Sequence, residues 1–600
     1  MTAHSSARLA SGARGLEQPT LRRVLPVLLA AVALLLSACA PVIPTDGPVG
    51  TTEPDTGEEA APQIQPQSPG EGADENSIIE GFIQAGVGPQ DEFSVAREYL
   101  TPELAETWNP AQRTWVYSAD PVFFPDGEDS YTVQMEVEAV VDADGIMTPL
   151  PEGRSESFEI EVGEHDGEVR IAEAPDFTMI DSVNFNRVYA SYTLYFYDPQ
   201  QQYAVPDQRW FATRTGTASR VAAALLDGPA PYLEPAVSSA FPEGAALEHA
   251  SVPIDDGQAR VELAAGALQG ASAEQQQLMI HQMDLALTQL NDVSSVEMTV
   301  GQQVLEVDED LEPLDVIDEP VVTAPQVGIL DDQLGRLDGY HELSIPNLPD
   351  ISALEPQHPA VPEAEDDVFA FLDGEAERLF HVRPDQEPEE MLSGESLTRP
   401  SMDNFGWTWV ASANDDGAAV HALPYGEDAE DSEDAGDAED SAVELSVDWL
   451  DGVGISSLRV SQDGARVAIV LEEGDERSLH VAGIIRDASG VPYGIGSPIR
   501  LPVTTDIEEA RWISADELVV WASSEEDSQK IERVSFSGTT QAVGPVLLGL
   551  QNVSVGEGTS IGGNQRQLFA ETVEDPVQVL PGQLWSTEND VEMRDYSYPG

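Results

Sequence analysis

Three stretches of this chain repeat one pattern, and the pattern confines its C-terminal half to a repeating β architecture. Residues 455–470 read Ile-Ser-Ser-Leu-Arg-Val-Ser-Gln-Asp-Gly-Ala-Arg-Val-Ala-Ile-Val. Residues 507–522 read Ile-Glu-Glu-Ala-Arg-Trp-Ile-Ser-Ala-Asp-Glu-Leu-Val-Val-Trp-Ala. A third copy over 397–410 carries Arg399, Ser401-Met402-Asp403 and Trp407-Thr408-Trp409. Each copy is a strand, a Ser-x-Asp turn and a strand, with the turns at 401/403, 461/463 and 514/516. Strand–turn–strand units recurring every 40–60 residues or so indicate propeller blades. No long helical periodicity interrupts 322–590, a length that predicts about five blades, or six if some are short. The acidic run 426–441 widens the first interval and reads as a loop inserted within a blade.

Two α+β patterns precede this region. Over 76–186, Ile79, Phe82 and Ile83 recur at helical spacing and 93–100 continues it. Alternating stretches at 131–141 and 157–162 then predict strands, with a turn at 142–145 and a hairpin at His165-Asp166-Gly167-Glu168. Helices followed by a curved antiparallel sheet suggest a small α+β cone. Over 187–310 the predicted order is β-α-β-β-α-β-β, an α+β sandwich. Its first strand is 189–198, and Thr217 is placed as the N-cap of a helix to Asp227. Ser272-Ala273-Glu274-Gln275 forms a capping box opening a helix to about Leu290. Met279 and Met283 on that helix are assigned to core packing rather than to a soft partner surface. Trp407 and Trp409, on one face of a strand, are likewise assigned to packing between blades.

The N-terminus constrains location. Arg8, Arg14, Arg22 and Arg23 precede a 13-residue apolar run, 24–36, and then Leu36-Ser37-Ala38-Cys39. Thirteen residues rise about 20 Å as a helix, short of a ~30 Å hydrocarbon core, so 1–38 reads as an export signal and not a span. Cys39 is the only cysteine, which excludes an intrachain disulfide. Residues 39–75, rich in Pro, Gly, Thr, Gln, Asp and Glu, read as a disordered tether.

Charge excludes several function classes. The chain carries 110 Asp+Glu against 27 Lys+Arg, a net −83, with Lys530 the single lysine. Such a surface repels phosphate backbones and argues against nucleic-acid binding. Self-repulsion of this size is relieved by salt, so adaptation to a salty medium is expected. The nine histidines are scattered, with no pair at zinc-ligand spacing. There is no Gly-x-Ser-x-Gly elbow, and Lys530 lies in Gln-Lys-Ile and not in a phosphate-cradling loop. No catalytic, cofactor or metal residues are assigned, and an enzyme is not expected.

Several segments resemble the actinobacterial LpqB lipoprotein family. They are the lipobox Leu36-Ser37-Ala38-Cys39, Gly81-Phe82-Ile83-Gln84-Ala85, and Ala96-Arg97-Glu98-Tyr99-Leu100-Thr101-Pro102. Ala222-Ala223-Ala224-Leu225-Leu226-Asp227-Gly228-Pro229 and Ala240-Phe241-Pro242-Glu243-Gly244 are similar to the family's germination-protein-like (GerMN) domain, and Leu397-Thr398-Arg399-Pro400-Ser401 to its propeller. The resemblance runs from about 22 to 590. It implies N-acyl and S-diacylglycerol modification of Cys39, attachment to the cell membrane and an extracytoplasmic location. It also implies a non-enzymatic partner of an MtrB-type sensor histidine kinase, acting through the kinase's extracytoplasmic domain and affecting envelope and division.

The expected architecture is therefore multidomain α+β and all-β. A signal peptide (1–38) and tether (39–75) lead into an N-terminal α+β domain (76–186), a GerMN-like domain (187–310) and a β-propeller (322–590). An envelope-glycan or ligand-binding lipoprotein is the alternative function, and a propeller hydrolase a third.

Overall fold

The computed structural model describes residues 66–600, apart from 89–92, 128, 152, 214–215, 307–310, 321, 323, 339, 364–366, 415–416, 426–441, 446, 559–564, 576–577, 581–583, 589–590 and 600. Cys39, the signal segment, most of the tether and the acidic insert 426–441 lie outside the described residues.

The first domain opens with helix Glu75–Ala85, capped by the Asp74 carboxylate, which accepts from Ser77 N at 2.9 Å. Ile78, Ile79, Phe82 and Ile83 line its buried face. They pack on a seven-stranded sheet whose long strand, Ser130–Asp142, buries Tyr131, Val133, Met135, Val137, Ala139 and Val141 in strict alternation. That is the period a half-buried strand requires. Asp166 and Gly167 both take positive φ, which closes the tight hairpin between Ser155–His165 and Glu168–Glu173. The sheet is not wholly antiparallel as expected. Thr178–Asp181 runs parallel to Arg113–Tyr117, because the chain returns through the hairpin pair before reaching the free edge.

The second domain packs helices Thr217–Asp227 and Ala273–Thr288 against a four-stranded sheet and a separate long hairpin. Ser272 Oγ caps the second helix by accepting from Gln275 N at 3.2 Å. That helix crosses between the parallel strands Gln258–Leu263 and Ser295–Val300. Met279 and Met283 are fully buried in the core. The observed order is β-β-α-β-β-α-β-β, so the expected order omits a strand, Ala204–Ala212, which pairs with Tyr189–Tyr197. Thr217 is the first helical residue and not the cap; Gly216, at φ +86°, turns the chain into the helix.

Among the described residues the C-terminal region is a propeller of six blades, five of them four-stranded; blade 4 carries a fifth strand, Ile499–Leu501, paired with Glu476–Arg486. Blades 2 to 6 start at strands Gln357–Ala360, Ser401–Met402, Gly454–Val460, Glu509–Ser514 and Leu550–Gly558. Blade 1 is composite. Its strands Gln326–Leu330, Gln333–Asp338 and His341–Ser344 are completed by Arg594–Ser597 from the end of the chain. This last strand lies beyond residue 590 and joins the ends of the ring. Alternate side chains of adjoining blades interlock in dry clusters, such as Trp409, Val420, Leu458, Val467 and Ile484 between blades 3 and 4.

Candidate functional site

The Ser-x-Asp repeat has a local job and a long-range one. Locally, the aspartate ties the turn between a blade's first two strands. Asp403 Oδ1 accepts from Phe405 N and Trp407 N, both at 2.9 Å, while Oδ2 accepts from Trp409 Nε1 at 2.8 Å and from Arg486 Nη2. Asp463 Oδ1 accepts from Ser461 Oγ and Ala465 N, and Oδ2 pairs with Arg466. Asp516 Oδ1 accepts from Ser514 Oγ at 2.8 Å. Short polar side chains that bond the backbone two residues on are the usual makers of such turns.

At longer range, these three turns form the platform on which the second domain sits. Tyr203 meets Phe405 edge to face at 6.1 Å and accepts from Asn404 Nδ2 at 3.2 Å. Gln208 Nε2 donates to Asp516 Oδ2 at 3.3 Å. Val205, Ala230, Tyr232 and Leu233 enter an apolar cluster with Ala465, Ala468, Val470 and Val481 of blade 4 and Ala510 of blade 5. Gly483 N donates to Tyr232 O at 3.1 Å, an approach so close that a Cβ on Gly483 would stand 2.8 Å from that carbonyl oxygen.

Strand Ala204–Ala212 is the keystone. Asp207 and Arg209 are buried and form a two-pronged pair, Nε to Oδ1 at 3.0 Å and Nη2 to Oδ2 at 2.7 Å. Asp207 Oδ2 also accepts from Ala230 N at 2.8 Å, which fixes the loop carrying Tyr232. Arg209 Nη1 donates to Asp144 O of the first domain, and Trp210 N donates to Gly145 O, both at 2.7 Å. Trp210 Nε1 reaches Ser537 O of blade 5 at 3.1 Å. One strand therefore bonds all three domains into a single block. Sequence reasoning missed it. Its buried residues do not alternate with exposed ones, and a run containing Pro206, Asp207 and Arg209 carries no ordinary strand signature.

The second feature is a ring of charge where the blades' first strands converge. Arg399, just before the first strand of blade 3, reaches across. Its Nε lies 3.1 Å from Glu509 Oε1 of blade 5, and its Nη1 lies 3.0 Å from Asp595 Oδ1 of blade 1 and 3.2 Å from Asn552 Oδ1 of blade 6. His358 of blade 2 closes on Asp595, Nδ1 to Oδ2 at 3.0 Å. Arg459 of blade 4 donates through Nη1 to the carbonyls of Pro400 and Arg399, at 2.6 and 3.2 Å. Glu571 Oε2 accepts from Asp595 N at 2.7 Å. Burial opposes ionisation of Asp595, but His358 and Arg399 hold its carboxyl well below the usual range. Burial, with the Asp595 charge beside it, pushes Glu571 up to about 7. Burial also lowers the Arg459 guanidinium, to about 10. Arg399, Arg459 and Arg511 each precede the Ser-x-Asp turn of their own blade, so the sequence repeat delivers one arginine per blade to this ring.

Elsewhere, Gln200, Gln202, Glu274, Leu278, Leu314 and Ile317 line an open groove of about 570 Å³ at the start of helix Ala273–Thr288. Among the described residues no group of three or more His, Cys, Asp or Glu side chains could hold a metal ion, and no helix is long and apolar enough to cross a membrane. Trp409 is buried between blades and bonded to Asp403, and Trp407 packs at the edge of the same cluster. Large apolar side chains are exposed at Val546 and Leu548, between blades 5 and 6, and at Val573 and Leu584 in blade 6.

Three family models match along the chain. Residues 68–186 match the lipoprotein LpqB N-terminal domain, 193–306 a sporulation and spore germination (Germane) domain, and 332–590 the lipoprotein LpqB beta-propeller domain. A protein named Lipoprotein LpqB from Thermobifida fusca is 27% identical over 92% of this chain and 98% of its own length. One of the same name from Streptomyces coelicolor is 25% identical over 92% of this chain and 94% of its own length. Among solved structures, the first GerMN domain of the sporulation protein GerM from Bacillus subtilis is 20% identical over 22% of this chain and 97% of that one, with a TM-score of 0.18.

Proposed function

Since the chain belongs to the LpqB family of lipoproteins, we propose that it is a lipid-anchored accessory to a sensor histidine kinase of the MtrB type, held on the extracytoplasmic face of the cell membrane. In this reading Cys39 carries the lipid. Each buried methylene of an acyl chain contributes about 0.8 kcal/mol, and two or more chains give stable anchoring. The anchor concentrates the block near a membrane-embedded partner, so modest contacts suffice.

The exposure of several large apolar side chains on and beside blades 5 and 6 is the observation that carries a docking role. Leu548 is 59% exposed, Val573 59% and Leu584 71%, on a chain of net charge −83. Large apolar side chains left exposed on so acidic a chain are candidates for burial against a partner. The acidic charge of the chain as a whole fits a partner whose docking face carries basic residues. The block has no role in catalysis on this view; its domains supply rigid surfaces.

A soluble form lacking Cys39 should capture the purified kinase sensor domain at working salt, and Leu548→Glu with Leu584→Glu should weaken that capture by at least about tenfold. Failure of the unaltered soluble form to bind at any salt concentration contradicts the reading. The groove lined by Gln200, Gln202 and Glu274 favours a second reading, binding of an envelope glycan. Muropeptide binding that is lost in Gln202→Ala, with no kinase capture, would select it.

A further inference from the structure

The segment that leaves the second domain for the propeller is laid across that domain as a lone extended strap. Ile317 N donates to Gln202 O at 2.8 Å, and Ala204 N donates to Ile317 O at 2.9 Å, a parallel bridge beside the turn of the hairpin. Leu314 and Val316 pack against the core of the second domain, while Asp315 and Ile317 are exposed, Ile317 by 43%. This strap, the hairpin turn at 200–202 and the first turns of helix Ala273–Thr288 are the walls of the open groove of about 570 Å³.

Three properties of the groove converge on one kind of occupant. The strap has a vacant edge. In an extended chain the N–H and C=O of successive residues point to opposite sides, so Ile317 commits its pair to the hairpin and Val316 presents its own the other way. Among the described residues nothing bonds to the Val316 N–H or C=O. An extended segment laid on such an edge gains main-chain hydrogen bonds. The lining also offers apolar surface, Leu278, Leu314 and Ile317, for that segment's side chains. Finally, the charge is of one sign. Glu274 and Asp315 line the groove, and no Lys or Arg does. Residues 311–320 hold Glu312, Asp315, Asp318 and Glu319 and no basic residue. His281, one turn beyond Leu278, brings no compensating charge at neutral pH. Burial lowers its pKa against the pull of Asp318 and Asp284, and its Nδ1 lies 2.9 Å from Tyr197 Oη. The amides of Gln200 and Gln202 alone would suit an uncharged sugar; two lining carboxylates without a counter-charge suit a cation.

We propose that this groove is a docking site for an extended basic peptide segment of a partner protein. The segment pairs as an added strand along Val316, rests apolar side chains on Leu278 and Ile317, and sets lysine or arginine side chains against Glu274 and Asp315. The site lies on the second domain, away from the apolar side chains of blades 5 and 6, and stands independently of the kinase reading.

The test uses the full chain in detergent at about 0.15 M NaCl, where long-range attraction to the acidic surface is screened. The probe is a dye-labelled peptide of alternating lysine and valine, seven residues long. Binding should slow hydrogen exchange at residues 314–318. Glu274→Gln with Asp315→Asn, which keeps the shape of the lining and removes its charge, should weaken binding by at least about tenfold. Glu103→Gln with Glu106→Gln makes the same charge change on an exposed helix of the first domain and should leave binding within about twofold. Equal affinities of the two double variants, or unchanged exchange at 314–318, overturn the site, because the peptide is then held by overall charge alone. Slowed exchange at 314–318 with a muropeptide and none with the peptide selects the glycan and overturns it too. Where the groove variant does not fold, the exchange result on the unaltered chain decides.

Discussion

Asp595 is the second residue of the closing strand Arg594–Ser597 and is buried among His358, Arg399 and Glu571 from three other blades. Removing one member of such a cluster leaves the others charged and unpaired. Asp595→Ala should therefore cost about 3–5 kcal/mol of stability, measured by denaturant unfolding; a loss below 1 kcal/mol would mean the ring is open to solvent. Glu571 behaves in the opposite sense. Its folded-state pKa is raised from 4.5 to about 7 by burial and by Asp595, so the folded chain holds this proton more tightly than the unfolded one. Stability falls as pH climbs through that window and stays lowered above it. Glu571→Gln keeps an acceptor for Asp595 N and removes the penalty. It should gain on the order of 2–3 kcal/mol at pH 8 and almost nothing at pH 4, which paired unfolding curves at the two pH values would check. The arginines of this ring were visible in the sequence as part of the repeat. Their role was not, because the partners of Arg399 lie 110 to 196 residues away in other blades, a separation no local pattern encodes.

At the scale of elements, what was legible is what has a period or a local bond. The alternation of Ser130–Asp142, the cap at Ser272 and the Ser-x-Asp turns all act within a few residues, and the structure places each where the pattern indicates. Strand Ala204–Ala212 and the closing strand Arg594–Ser597 act only through distant partners, and both were unreadable. The keystone contact can be tested through Gly483, whose missing Cβ allows Tyr232 O and Ala236 Cβ to come close. Gly483→Val should wedge the second domain off blade 4. Calorimetry should then show two separable transitions where the unaltered block, bonded through Arg209, Trp210 and Tyr232, melts as one. A single unshifted transition in the variant would show that the domains do not depend on this contact.

At the scale of the whole molecule, the three domains form one body, and its surface charge sets the medium in which it is stable. With 110 acidic against 27 basic residues, repulsion over the folded surface is screened as the Debye length shrinks to about 3 Å at 1 M salt. The melting temperature should rise steeply from low salt to molar NaCl; a flat profile would mean that the acid is spaced widely enough to be inert. The same acid disfavours anionic partners at the surface. In native membranes, residue-resolved crosslinking of the unaltered chain addresses the docking role directly. The account predicts crosslinks from the region of Val546, Leu548 and Leu584 to the extracytoplasmic domain of a sensor histidine kinase; crosslinks that reach only glycan or other proteins, with the kinase never joined, would contradict it.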